Sequence, residues 1–275
     1  MMMVKTQVGR VAVEQRGSGA PVLLLHANPG DHRDFDAVVP ALAARYRTLA
    51  VDWPGYGESA PLPSPRSASA MLMAEVLEDL VDRLGLAPAI LVGNSIGGYA
   101  AARLAIDRPR KVRALVLVDT GGFTPYHILK RLFCRFKGKD FITRRIAGRY
   151  AEFYLKRRNR VVEQIIARTY AGQSDPARVA VDAAMWRSFL DPDHDLRGRA
   201  ARITAPTLLV WGREDPVLPI GVDAQTALRC IPGSRLVALD TGHEPFAEDP
   251  EAFLAAVMPF LEEAARPARS PRMTG

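Results

Sequence analysis

Short, nearly uninterrupted apolar runs recur along the chain: Val22-Leu23-Leu24-Leu25, Thr48-Leu49-Ala50-Val51, Ile90-Leu91-Val92, Leu115-Val116-Leu117-Val118 and Thr207-Leu208-Leu209-Val210-Trp211. Runs of this length without polar alternation suit strands covered on both faces. Helical patterns separate them. From Met71 to Leu84, the residues Leu72, Met73, Val76, Leu77, Leu80, Val81 and Leu84 fall on one face. A second run spans Tyr99 to Asp107, and Asp249-Pro250 opens a last one through Phe253, Leu254, Val257, Phe260 and Leu261. This alternation predicts an α/β fold with a doubly wound, mostly parallel sheet. Val8 to Gln15, ending in Arg16-Gly17-Ser18-Gly19, reads as an antiparallel edge strand and turn.

The rhythm breaks between Phe123 and Arg197, where the pattern turns helical, basic and aromatic. An inserted helical lid over residues 123–197 follows, with a core formed by residues 1–122 and 198–275. Gly121-Gly122 and the polar Asp191-Pro192-Asp193-His194-Asp195 are its crossing points. The tail from Arg266 to Gly275 carries no periodicity and is expected to lack fixed structure.

Composition narrows the function classes. With 48% apolar and 24% charged residues in 275, and no apolar run near the 18 or so needed for a membrane span, a soluble globular protein is expected. Its start shows no signal-peptide pattern, so a cytoplasmic location is the default. Two cysteines, Cys134 and Cys230, make neither a disulfide framework nor a metal cluster and read as small buried hydrophobes. The net charge of +7 is uneven: His127 to Arg160 holds 12 Lys or Arg against Asp140 and Glu152, an excess of +10 that leaves −3 elsewhere. The simplest account is a solvated helical face. Interleaved Leu132, Phe133, Phe136, Phe141, Ile142, Phe153, Tyr154 and Leu155 support a second account, a basic amphipathic surface that attracts an anionic substrate or membrane face. Nucleic acid is not expected, since no binding motif accompanies the charge. Oligomeric state is not legible.

The most specific motif is Gly93-Asn94-Ser95-Ile96-Gly97-Gly98, a Gly-x-Ser-x-Gly match between a buried strand and a helical run. That strand, turn and helix context is what an exposed nucleophile at a sharp elbow requires. Glycines belong beside it because the turn is strained and its neighbours are close. The helix N-terminus beneath favours developing negative charge.

Here the chain resembles the α/β-hydrolase family. His26-Ala27-Asn28-Pro29-Gly30 is similar to its His-Gly-x-Pro-Gly oxyanion loop, with Ala27 at the second glycine, and Asp52-Trp53-Pro54-Gly55-Tyr56-Gly57-Glu58-Ser59 to its Asp-x-Pro-Gly-x-Gly-x-Ser turn. Gly212 to Pro219 and Gly242-His243-Glu244 resemble its acid and histidine loops.

A serine nucleophile needs a base and an orienting acid. His243, late in the chain after Leu236-Val237-Ala238-Leu239, fits the order Ser, Asp, His. His32, His127 and His194 read as surface or structural residues, and the resemblance implies that His26 supports the oxyanion loop. Asp215 and Asp119 both follow strands; the resemblance favours Asp215 as the acid and leaves Asp119 as a supporting carboxylate. Asp52 and Asp249 read as turn and capping residues. The oxyanion hole is expected from the backbone N–H groups of Ile96 and Asn28, with the Asn28 side chain stabilising its own turn.

The resemblance thus implies a serine hydrolase acting on a small-molecule carboxylic ester. Serine at the elbow excludes relatives that use aspartate there. The elbow also looks like that of carbon–carbon hydrolases of ring-fission products, although Asn28 and Glu244 depart from their pattern; this is the alternative activity. A non-catalytic binding protein of the same fold is the other class kept open. No phosphate loop, dinucleotide fingerprint or metal-ligand spacing occurs, so no cofactor or metal is expected.

Overall fold

The computed structural model describes residues 1–125 and 127–266, so the tail beyond Arg266 lies outside the described residues. Strands β1 (Met2–Thr6), β2 (Gly9–Arg16), β3 (Pro21–Leu25), β4 (Arg47–Val51), β5 (Ala89–Asn94), β6 (Val112–Val118), β7 (Thr207–Gly212) and β8 (Arg235–Leu239) form one sheet. Their order is β1-β2-β4-β3-β5-β6-β7-β8. From β4 to β8 all neighbours are parallel, while β1 pairs β2 and β2 pairs β4 antiparallel.

One correction concerns the edge. The strand over Val8 to Gln15 lies second in the sheet as β2, and the true edge is β1. In β1 the pattern is weak, with only Val4 and Thr6 buried, which is why five residues beginning Met-Met-Val did not read as an element.

The apolar strand runs divide by their period of two. In β3, Leu23 and Leu25 enter one core and Val22 and Leu24 the other; in β7, Leu209 and Trp211 separate likewise from Leu208 and Val210. Helices α1 (Val39–Ala43), α2 (Ala70–Arg83) and α3 (Ile96–Asp107) follow strands of the first half. Helices α2 and α3 cover the Leu23 face, whereas α1 covers the Leu24 face.

Between β6 and β7 stand α4 (Ile128–Lys137), α5 (Asp140–Tyr154), α6 (Arg160–Gly172) and α7 (Pro176–Ser188), with no strand among the described residues. They straddle the molecule: Val181, Ala184 and Met185 of α7 join the Leu23 core, while Ala151, Tyr154, Ile165 and Ile166 join the Leu24 core. After β7 come α8 (Gln225–Cys230), α9 (Pro245–Glu248) and α10 (Pro250–Ala265), the last capped by Asp249, whose side chain accepts from the Ala252 N–H.

Candidate active site

All the expected site residues sit just beyond the carboxyl ends of β3 and β5 to β8, where an open α/β sheet offers its crevice. Ser95 follows β5 directly with φ 52° and ψ −108°, in the left-handed region that costs a non-glycine residue energy. The turn is pinned on both sides, because the Ser95 N–H donates to the Val118 carbonyl and the Ser95 carbonyl accepts from Gly121. A Cβ at Gly97 would collide with the Leu25 carbonyl, and one at Gly93 with the Gly97 carbonyl. Only glycine allows β3, β5 and α3 to approach this closely.

His243 and Asp215 arrive from the loops after β8 and β7. His243 Nδ1 lies 2.8 Å from Asp215 Oδ2, and both residues are buried. The other Asp215 oxygen accepts from the Val217 N–H at 2.7 Å. Asp119, after β6, also has a positive φ of 40°. Its Oδ1 accepts from the Gly212 N–H at 3.0 Å, while Oδ2 is buried without a partner. Burial, then the neighbouring Asp215 charge, pushes the Asp119 carboxyl well above the usual carboxylate range.

Ser95, Ile96, Asn28 and His243 line one cavity of about 930 Å³. Ile96 opens α3, so its N–H lies outside the helix's own hydrogen bonding and is available to a guest. His26 is fully buried and held from both ring nitrogens: Nε2 accepts from the Trp53 N–H at 3.0 Å, and Nδ1 lies 2.7 Å from the Ala27 carbonyl. Burial lowers its pKa to about 4, so it is a neutral strut of the Asn28 loop. The Asn28 side chain is tied to Tyr56 and not to its own turn: Oδ1 accepts from the Tyr56 hydroxyl at 2.5 Å, while Nδ2 is buried without a partner.

The remaining histidines separate. His32 is buried against Asp52, its Nδ1 2.9 Å from Oδ1, and Asp52 also takes the His32 and Glu58 N–H groups, as a turn-holding carboxylate should. His127 precedes α4 at the cavity rim. His194 stacks on Tyr99 with ring centroids 4.6 Å apart and also lines the cavity, its Nε2 unpartnered. Cys134 and Cys230 are free and half-buried rather than buried; burial raises the Cys134 thiol to about 11. Among the described residues, two clusters bring ligand atoms close enough for a cation, Asp31-His32-Asp52 and Asp119-Asp215-His243. In each, a histidine already holds a carboxylate.

Sequence reasoning missed three supports. Asn94 donates from Nδ2 to both the Val118 and His243 carbonyls, at 3.1 and 3.0 Å. Glu248, buried in α9, accepts N–H groups from Gly242, Glu244, Lys156 and Arg157 at 2.7 to 3.0 Å. Tyr154 packs edge-on to the His243 ring, 5.5 Å between centroids. Asn94 lies within the elbow motif and was legible as a neighbour; Glu248 carries no local signal, and Tyr154, expected on the basic amphipathic surface, is buried instead.

A model of the alpha/beta hydrolase fold matches residues 20–250. The chain is 30% identical over 272 residues to a 2-hydroxy-6-oxononadienedioate/2-hydroxy-6-oxononatrienedioate hydrolase of Cupriavidus pinatubonensis, covering 92% of this chain and 90% of that protein. It is 29% identical over 262 residues to a pimeloyl-(acyl-carrier protein) methyl ester esterase of Nitrosomonas europaea, covering 89% and 97%. Among solved structures it is similar to a malate-bound thermophilic esterase of Thermogutta terrifontis, with TM-score 0.83 and 27% identity over 97% of this chain and 100% of that one. Sheet order, elbow and the matched span agree: the chain belongs to the α/β-hydrolase fold family and is a hydrolase.

Proposed function

We propose that the protein is a serine hydrolase of carboxylic esters, working through an acyl-enzyme with Ser95 as nucleophile, His243 as base and Asp215 as orienting acid. The observation that carries this reading is the strained Ser95 at a cavity wall shared with His243, whose far ring nitrogen rests on Asp215 at 2.8 Å. In the first half-reaction Ser95 Oγ adds to the ester carbonyl carbon while His243 Nε2 takes the hydroxyl proton. The carbonyl oxygen becomes an oxyanion that accepts from the N–H groups of Ile96 and Asn28, each worth about 2.7–4 kcal/mol of barrier. Collapse expels the alcohol, which leaves with the proton from His243. Water, deprotonated by the same nitrogen, then adds to the acyl carbon and frees the acid and Ser95. The helices over residues 123–197 act as the lid in this reading, and they give the cavity the aromatic walls Phe133, Tyr150, Phe153 and Trp186. A cytoplasmic location belongs to it as well, where the thiols of Cys134 and Cys230 stay reduced.

Carbon–carbon hydrolysis of a ring-fission product is the second reading, favoured by the 30% identical relative of that name. A panel of esters of graded acyl length with one ring-fission product separates the two by kcat/KM. Ser95→Ala should lower turnover of the best substrate by at least about 10³-fold and abolish labelling by a fluorophosphonate. A wild-type protein that takes no label at Ser95 while folded would instead point to a binding role.

A further inference from the structure

Helix α4 is amphipathic in the opposite sense to a helix packed on a core. Its one buried residue is Lys137, whereas Ile128, Leu129, Leu132, Phe133 and Phe136 are all exposed, Leu129 by 66%. With 3.6 residues per turn, these five occupy an arc of about 140°, and Arg131 and Arg135 fall along one border of it. Leu129 and Phe133 also line the cavity together with the exposed Phe153, so apolar surface runs outward from the cavity mouth. Phe141 adds another exposed ring where α5 begins. Exposed apolar surface of this kind marks an interaction site.

The charges select the occupant. Basic groups inside the cavity are engaged within the protein: Lys130 Nζ lies 2.9 Å from Asp223 and Arg197 2.7 Å from Asp195. By contrast Arg135, Lys139, Arg144 and Arg145 are exposed and have no carboxylate partner among the described residues. An anionic substrate held inside the cavity would call for the reverse arrangement. A second copy of the chain seated on the same face would bring two basic rims together, which costs affinity.

We propose that α4 and the start of α5 form a docking face for an anionic lipid membrane surface, with Ile128, Leu132 and Phe136 in the interfacial zone and Arg135, Lys139, Arg144 and Arg145 on the headgroup phosphates. A peripheral helix of this design combines apolar burial with attraction to anionic lipid. No helix among the described residues is long and apolar enough to cross a membrane, so the attachment is to the surface. The cavity mouth then faces the bilayer. None of this depends on the roles given to Ser95, His243 and Asp215.

The test is co-sedimentation with vesicles of phosphatidylcholine alone and of phosphatidylcholine with phosphatidylglycerol. The full chain should partition onto the anionic vesicles at low salt, bind the neutral ones weakly, and be released as salt screens the headgroups. Leu132→Glu with Phe136→Glu should weaken anionic-vesicle binding at least about tenfold while leaving the circular dichroism and melting temperature unchanged. Arg144→Glu with Arg145→Glu, on an exposed face where folding is not at issue, should weaken it comparably. Failure of the wild type to bind anionic vesicles at low salt, or binding as tight as the wild type's by both double variants, overturns the proposal. A concentration-dependent dimer that Leu132→Glu with Phe136→Glu dissolves, without vesicle binding by the wild type, assigns the face to a second copy instead.

Discussion

Two carboxyls stand at the histidine, and their environments give them different work. Asp215 reaches the His243 ring directly, whereas Asp119 is fully buried, bonded through one oxygen to the Gly212 N–H, and pushed well above the usual carboxylate range. In the proposed mechanism an amide at Asp119 leaves the Asp215–His243 contact in place, whereas an amide at Asp215 removes the carboxylate that orients the ring and balances the imidazolium. Asp215→Asn should therefore lower kcat on the order of 10⁴-fold and Asp119→Asn by less than about tenfold. Kinetics of both purified variants on one ester decide the matter, and the reverse ranking would move the acid to Asp119. The sequence offered both residues at strand ends but could not rank them by physics, since burial and a 2.8 Å contact arise only when β6, β7 and β8 are laid side by side.

At the scale of elements, the legible parts were those with a strong local period. Helix α2 is found at Ala70–Arg83 against an expected Met71 to Leu84, and the five apolar runs all lie within strands β3 to β7. The edge strand β1 and the inward side of α4 were not legible, because a five-residue strand and a helix that faces outward do not follow the rule that apolar residues mark the core. Lys137 is the sharpest instance. Only 2% exposed, its ammonium lies 4.4 Å from the Tyr150 ring centroid and 5.2 Å from that of Trp186, and burial lowers its pKa to about 8. The unfolded chain binds the proton more tightly, so burial costs stability at every pH below about 8 and the cost fades as pH rises towards the ordinary value of about 10.4. Lys137→Met should raise stability by on the order of 1–3 kcal/mol at pH 7, after loss of the cation–π contacts, and by little above pH 10. Urea melts at the two pH values read this out; a variant that is less stable at both would show that the ring contacts outweigh the buried charge.

Over the whole molecule, acids gather behind the histidine loop. Glu244 is fully buried with both oxygens unpartnered, and burial, then the charges of Asp34 and Glu248, push it well above the usual range. Asp34 is raised to about 7 by burial and Asp31, against the pull of Arg168, which reaches it at 2.7 Å. Such groups keep protons that the unfolded chain has already released, so from about pH 4 upward the native state binds more protons and stability falls with rising pH. Glu244→Gln removes one of these groups with little change of shape. Its unfolding free energy should decline less than that of the wild type between pH 5 and pH 8, and equal slopes for the two proteins would show that Glu244 does not titrate as its surroundings demand.

Glu248 ties the same region together in another way. Its carboxylate gathers the N–H groups of Gly242 and Glu244 on one side and of Lys156 and Arg157 on the other, and the His243 N–H donates to the Tyr154 carbonyl beside them. The far wall, α4, buries no apolar side chain and is held by side-chain links such as Lys130 to Asp223. If residues 123–197 act as the proposed lid, the cover is a door hung on one post. Movement at the post would drag the histidine along, whereas movement at the latch would leave the alignment of His243 untouched.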